Sequence, residues 1–551
     1  MTQPTPTQPA SKRLVTEERA NATYAPRWVA EKSYAAGDAV LLPNGKTGTR
    51  TTAGTSRATF DATEEAAWTV ASGVPSGGTA GQVLTKGSGT TVTWSAPTAS
   101  DAIARKRNVT AQRRDLPGVV SRVTLPAGFT WQDAPIRIFK DGARYITDFD
   151  VARFKNTGAG LLYVDHVNGL DSNDGLTRAT AKKTLTAAMT TAAAGDTILI
   201  ISKGVYHRQL SVITNRIRKS VNIIAENPGE LTVSYSDALT YTQDATNTKV
   251  YTATRSNVRK VIDLGVGDTG GFEYTQVADI AACQAQPGSW FQNGTTVGIH
   301  TLNSTVPSND QHIALLAGEM FYVDATTADV SLYLEGFTIL GSNSGLTGDP
   351  NSTFQIDVYC KDMDFMWATG NAGDVLGNAV NMQGVRYAFF QRCRTAHSNK
   401  DGFNYTAYNK AQELKTATKF LEVDCHSWDH GIGNAGASNT HNATTAHAGC
   451  VGIRIGGTYH HTRGALVADV QANTKTVNYS CTAFDSLAST TDGYNSGFCI
   501  QQDGAEMWVF DGTAFGCAYD VFTTATAPLH VIDTQFDTRL TNAAYDIVNA
   551  L

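Results

Sequence analysis

Seven of the chain's 12 histidines fall between His397 and His461, a window that also holds Asp401, Asp424, Asp429, Trp428, Tyr405, Tyr408 and Tyr459. Side chains of these types could handle a sugar polymer. Glycoside hydrolysis generally needs two carboxylates, one protonated as acid and one acting as base or nucleophile. Lyase chemistry needs a base at the proton beside a uronate carboxylate, with cations or a metal neutralising that carboxylate. Asp401, Asp424, Asp429, His430 and His447 are the candidate catalytic groups, and Tyr405, Tyr408, Trp428, His441, Arg454 and Tyr459 the candidate sugar contacts.

Each of these has a structural alternative. Asp401, between Lys400 and Gly402, fits a turn whose carboxylate bonds its own backbone. Asp429 and His430 open a stretch to Gly449 with almost no apolar residues, which predicts a long loop, the usual place for function. His447, beside Thr444 and Thr445, could shuttle protons or simply pack. The aromatic rings could stack on sugars or fill a core or a subunit interface. His460-His461 has no acid or Cys at ligand spacing, and Asp171-Ser-Asn-Asp-Gly175 has the wrong spacing for a calcium loop, so no metal and no cofactor are expected.

The stretch Tyr163 to Tyr206 shows what must position these groups. An Asp/Asn/Gly-rich turn run (VNGLDSNDG) precedes an Ala- and Leu-rich amphipathic helix from Lys182 to Ala194. A β-branched run, Ile198 to Ile201, follows between glycines and predicts a strand buried on both sides. The helix is placed to cover the apolar end of a stack of coils. This order, with Gly-Asp-Thr-Ile and Gly-X-Tyr, resembles the opening of pectate-lyase-like right-handed parallel β-helices, which occur in bacteriophage tailspikes and polysaccharide-degrading enzymes. The resemblance implies an all-β solenoid over 163–551, right-handed because crossovers joining parallel strands are.

Segments downstream repeat one alternating pattern. Aligning Gly336, Asp362, Cys393, Cys425, Cys481, Gly512 and Thr534 gives intervals of 26, 31, 32, 56, 31 and 22 residues, as solenoid turns do, the 56 being two turns or one with an insertion. Strand alternation then points Val423 and Cys425, Gln391 and Cys393, and Tyr479 and Cys481 inward, with the three Cys as a column of small apolar groups. Glu422, Asp424, His426, Arg392 and Arg394 face outward, and Asp424 is expected to pair with Arg392 one strand spacing away.

Upstream lie smaller pieces. Residues 1–25 are Pro/Thr/Gln-rich, and 26–73 carry Trp28, Tyr34, Gly37-Asp38, Val40 and Trp68, a pattern that resembles small β modules of chitin-binding and phage structural proteins. Within 74–115, GGTAGQVLTK followed by TVTW resembles a hairpin repeat of phage tail fibres, too short to be stable alone. That resemblance implies a homotrimer. Alternation over 116–162 predicts a small antiparallel β domain hinged before the solenoid.

A net charge of -6 provides no basic face for nucleic acid, and no apolar run is long enough for a membrane span. The first residues lack the apolar core of a secretion signal, and the eight Cys are expected to be free buried thiols. Together the resemblances imply a virion protein made in the host cytoplasm and released by lysis. Its N-terminal modules would attach to a phage tail or baseplate protein, and its solenoid would bind bacterial surface polysaccharide. Three classes stay open: a depolymerase acting through carboxylates in the 401–447 window, a non-catalytic adhesin, and a structural tail fibre.

Overall fold

The computed structural model describes residues 121–541 except 143, 209–215, 268–269, 371–376, 432–440, 488–494, 503, 524–527, 533 and 537–538, and, before them, 32–34, 39–41, 47–57, 63, 66–70, 83–86 and 92–95. The chain divides into two units, Met1–Arg114 and Asp115–Leu551. In the first, Ala39–Leu41, Thr47–Arg50 and Trp68–Val70 form an antiparallel sheet, and Ser33–Tyr34 pairs with Gly54–Thr55. Val83–Lys86 pairs antiparallel with Val92–Ser95, the hairpin expected from QVLTK and TVTW. Trp28 and the side chains of Tyr34, Val40 and Trp68 lie outside the described residues.

Three long parallel sheets of 11, 10 and nine strands build the second unit. Each complete coil supplies one strand to each sheet; one coil, for example, gives Lys419–Val423 to the first sheet, His426–Trp428 to the second and Thr444–His447 to the third. Inward residues from all three sheets form two apolar interior clusters, one in the earlier coils and one in the later. The helix Leu185–Thr191, capped by the Thr184 hydroxyl, buries Leu185 and Ala188 against Leu162, Val164, Ile198 and Ile200 and so closes the first coils. Thr197–Ile200 is buried on one side only, Ile198 and Ile200 inward and Leu199 half-exposed, not on both sides as the run of aliphatics predicts.

The Cys column stands as expected: Cys393, Cys425 and Cys481 are interior and buried. The 56-residue gap is two coils, the missing one being Val451–Ile455 and Thr458–His460. Asp362, however, aligns with Arg392 instead of Cys393, because Asp364 pairs with Arg394.

The expected faces are corrected by one residue per coil. Between the first and second sheets, Asp362, Arg392, Asp424, Ser480 and Asp511 all hold φ near +50°, with Gly336 and Gly456 in the same row. Their amides donate to the next coil, as from Arg392 N to Val423 O at 2.8 Å and from Asp424 N to Ile455 O at 2.8 Å. A left-handed residue inserted in this way resets the alternation. Val423, Gln391 and Tyr479 therefore point outward, while Glu422 joins Cys425 inside. The Arg392 guanidinium forks onto Asp362 at 2.8 Å for both bonds, so Asp362, not Asp424, is its bidentate partner. Gly336→Ala places a Cβ at φ +87° and 3.2 Å from Pro228, and is expected to lower stability by about 1–2 kcal/mol in chemical denaturation.

The outward residues of the first sheet are nonetheless buried. Residues 121–154 form a three-stranded antiparallel sheet and a short 3-10 helix that lie across them. Trp131 stacks 6.0 Å from Phe389, Tyr145 lies 4.9 Å from Tyr479, and the Gln391 side chain bonds both Phe149 O and Val151 N. This segment is docked on the coils over its length, where the sequence suggests a hinge. A second addition is not foreseen at all: between Leu231–Ser234 and Phe321–Val323 the chain leaves the coil and builds two further sheets around Tyr251–Thr254 and Val258–Asp263, with the helix Ile280–Ala285. Its Ile262, Ile313 and Leu315 pack with Leu340, Met366 and Trp428 on the outside of the second sheet.

Candidate functional site

The third sheet carries the polar face. Phe403 and Tyr405 point into the core and Asn404 and Thr406 away from it, and the same alternation sets Asn381 and Gln383 outside Val380 and Met382. Pairing of successive strands lines up Asn381, Asn404 and Thr445 in one outward row. Gln383 and Thr406 pair in a second, which His447 extends.

A cavity of roughly 370 Å³ opens here. Its floor is Gln383, Asn404, Thr406 and His447; one edge is Asn378, Lys400, Asp401 and His441; the other is Tyr408 and Gln412, with Gln471 beyond. Tyr408 and Gln412 belong to an arm closed by Lys415 N on Ala407 O at 2.7 Å. The arm is tied to earlier coils, Lys410 N donating to Asp349 at 3.1 Å and Lys410 Nζ to Glu319 at 3.3 Å.

Asp401 is the only carboxylate among the described residues that line the cavity. It accepts from Asn442 N at 2.8 Å and Thr445 Oγ1 at 2.9 Å, and His441 Nδ1 lies 3.9 Å away. Burial raises its pKa to about 6, against the opposing pull of those two donors and of Lys400. Burial lowers His441 and His447 to about 4, so at neutral pH the cavity holds two neutral imidazoles, one carboxylate and one ammonium. Asp401 therefore faces the cavity with its carboxylate held by the next coil, at Asn442 and Thr445, and not by its own turn backbone as the sequence suggests.

Five sequence-predicted residues meet here or beneath it. Asp401, Tyr408, His441 and His447 line the cavity, and His430 lies buried under its edge. His430 joins Ser398 Oγ at 2.6 Å and Ser427 Oγ at 2.9 Å, and Ser398 Oγ in turn donates to the Lys400 and Asp401 carbonyls. His430 thus holds the Asp401 turn and does not face solvent.

The others are placed elsewhere. Asp424 occupies the corner between the first and second sheets, and Asp429 a corner past the second, at φ +56° and 3.6 Å from His397. Neither lines the cavity, so among the described residues no pair of acids faces it. Tyr405, Arg454 and Tyr459 are inside the coil: Tyr405 stacks 3.9 Å from Phe420, and Tyr459 donates to Glu422 at 2.7 Å. Of the two readings open for the rings, sugar stacking or core, Tyr405 and Tyr459 take the core, and Arg454 is buried there too instead of contacting a sugar. Trp428 is on the outer second sheet, in a ladder of stacked rings with His460, Phe484 and Phe515, the last of them exposed. His426, His460 and His461 bond one another there at 2.7 and 2.6 Å. No group of three or more His, Cys, Asp or Glu among the described residues is placed to hold a metal ion.

Sequence reasoning missed the amides Asn378, Gln383, Asn404, Gln412 and Gln471. For Gln383 and Asn404 the signal was present as polar residues alternating with apolar ones in AVNMQ and FNY.

No family model and no curated protein matches this sequence. Among solved structures, the chain is similar to the complex of XylC with xylose (12% identity, TM-score 0.40, 70% of this chain and 68% of that one). It is also similar to a glycoside hydrolase (10%, 0.34, 71% and 98%) and to the pectate lyase Pel9A (11%, 0.33, 72% and 79%).

Proposed function

We propose that this chain is a phage tailspike subunit whose third-sheet face binds a bacterial surface polysaccharide. The observation that carries the binding is the cavity itself: a concave, amide- and imidazole-lined site with one aromatic wall, set on a rigid cylinder. An extended face suits a polymer, since many weak contacts along it add. The phage assignment draws on the likeness of the Tyr163–Tyr206 stretch and of the 74–98 hairpin segment. The hairpin Val83–Lys86 with Val92–Ser95 is too short to stand alone, in keeping with a homotrimer in which copies support one another. The N-terminal modules then serve attachment to tail or baseplate.

Adhesion is favoured over hydrolysis by one observation, the absence of a second carboxylate among the described lining residues. Affinity electrophoresis through gels containing capsule, exopolysaccharide or O-antigen of candidate hosts is expected to show retention without new reducing ends or unsaturated-uronate absorbance. Retention lost in Tyr408→Ala is the expected companion result. Products that vanish in Asp401→Asn and His447→Ala would replace adhesion with depolymerisation; no retention on any such gel would remove the glycan reading.

A further inference from the structure

We infer that the cavity is built for an uncharged, hydroxyl-bearing sugar ring and not for a uronate. This rests on the proposed glycan reading of the cavity. Gln383 lines it, is 4% exposed, and its buried Oε1 meets no donor from the protein. An acceptor in that position calls for a donor from a ligand. Two residues back on the same strand, Asn381 has no solvent exposure and lies beneath the lining, where it orders the amides around it. Its Oδ1 accepts from Asn378 Nδ2 at 3.1 Å and from Asn404 Nδ2 at 2.9 Å, which fixes the amide's orientation and leaves Nδ2 buried with no acceptor. The open acceptor of Gln383 matches a hydroxyl, which can donate to it. A carboxylate offers acceptors only.

Charge points the same way. Among the described residues Lys400 is the one cation on the lining, and Asp401 the one anion. A uronate would set its charge beside the Asp401 carboxylate with one ammonium to balance both, whereas neutral rings meet five amides able to donate and accept. Tyr408, 37% exposed on its anchored arm, supplies a face for the C–H side of a pyranose.

The test is saturation-transfer NMR on the full chain with methyl glucoside, methyl galactoside and N-acetylglucosamine against glucuronate and galacturonate. Neutral probes are expected to give signals indifferent to added salt. Gln383→Met, equal in length and without the orphan acceptor, is expected to weaken them about fivefold to tenfold. The free variant should melt no lower than the parent, since no protein bond is lost. Preference for the uronates, unchanged binding in Gln383→Met, or a clearly lower melting temperature in that variant would each overturn the inference while leaving glycan binding intact. Silence from all five probes would overturn it together with the binding reading.

Discussion

Arg454→Met is expected to destabilise the fold by about 3–5 kcal/mol at neutral pH, the usual result of stripping the partner from buried charges. Arg454 has no solvent exposure, and neither do Glu422 and Asp469, each 3.5 Å from it. The guanidinium also donates to Thr444 Oγ1 at 3.1 Å and Asn478 Oδ1 at 3.3 Å, and lies 4.8 Å from the Phe420 ring centroid. Glu422 accepts from Tyr459 at 2.7 Å and Thr444 at 2.6 Å, and Asp469 from Thr476 at 2.5 Å. Glu422, Arg454 and Asn478 come from the first sheet, Tyr459 from the second, Thr444 and Asp469 from the third, so one network braces all three walls.

Without the cation, two carboxyls would share an apolar interior. Asp469 already titrates at about 6 because burial outweighs Arg454, and it would take a proton more readily still. The loss should therefore shrink when the denaturation midpoint is measured at about pH 5 rather than 7. A triple variant, Arg454→Met with Glu422→Gln and Asp469→Asn, should recover much of it, because no uncompensated charge remains. Equal midpoints for the parent and Arg454→Met would show that the network contributes nothing net.

The coil register was legible because interior volume is limited: only small side chains fit where Cys393, Cys425 and Cys481 stack, and that leaves a spaced trace in the sequence. The side each residue faces was not legible. It turns on single left-handed residues, and where glycine would announce such a position, Arg392 at φ +52° does not. For Tyr405 and Tyr459 the sequence leaves sugar stacking and core filling both open, and they fill the core; Arg454, a candidate sugar contact, is buried with them. The segment that builds the extra sheets was hidden for another reason: Tyr251–Thr254 and Ser289–Asn293 alternate like any coil strand, and only their antiparallel pairing sets them apart. The histidine-rich window contributes to the cavity, but the fold divides it. His441 and His447 reach the cavity, His430 supports it from below, and His426, His460 and His461 occupy another wall.

That division makes the molecule acid-sensitive, and the sign follows from burial. His441, His447 and His460 are lowered to about 4, and burial drives His430 well below its ordinary value. In the unfolded chain each takes a proton near pH 6.5, so the stability they contribute is complete above that pH and is lost as pH falls toward 4. Asp401 and Asp469, raised to about 6, act in the opposite sense: their contribution is full below their unfolded value near 4 and disappears as pH climbs through 6. Burial raises Asp429 too, but four depressed imidazoles outweigh three raised carboxyls, and burial lowers His166, His207 and His312 as well. Stability is expected to fall by several kcal/mol between about pH 6.5 and 4.5, read as the urea midpoint, with the carboxyls blunting the slope. Replacing His441 and His447 together by glutamine should flatten the profile, since neither position then takes up a proton on unfolding. A midpoint that holds or rises on acidification would mean that the buried imidazoles are already charged in the folded chain, and the neutral cavity derived from them would be wrong.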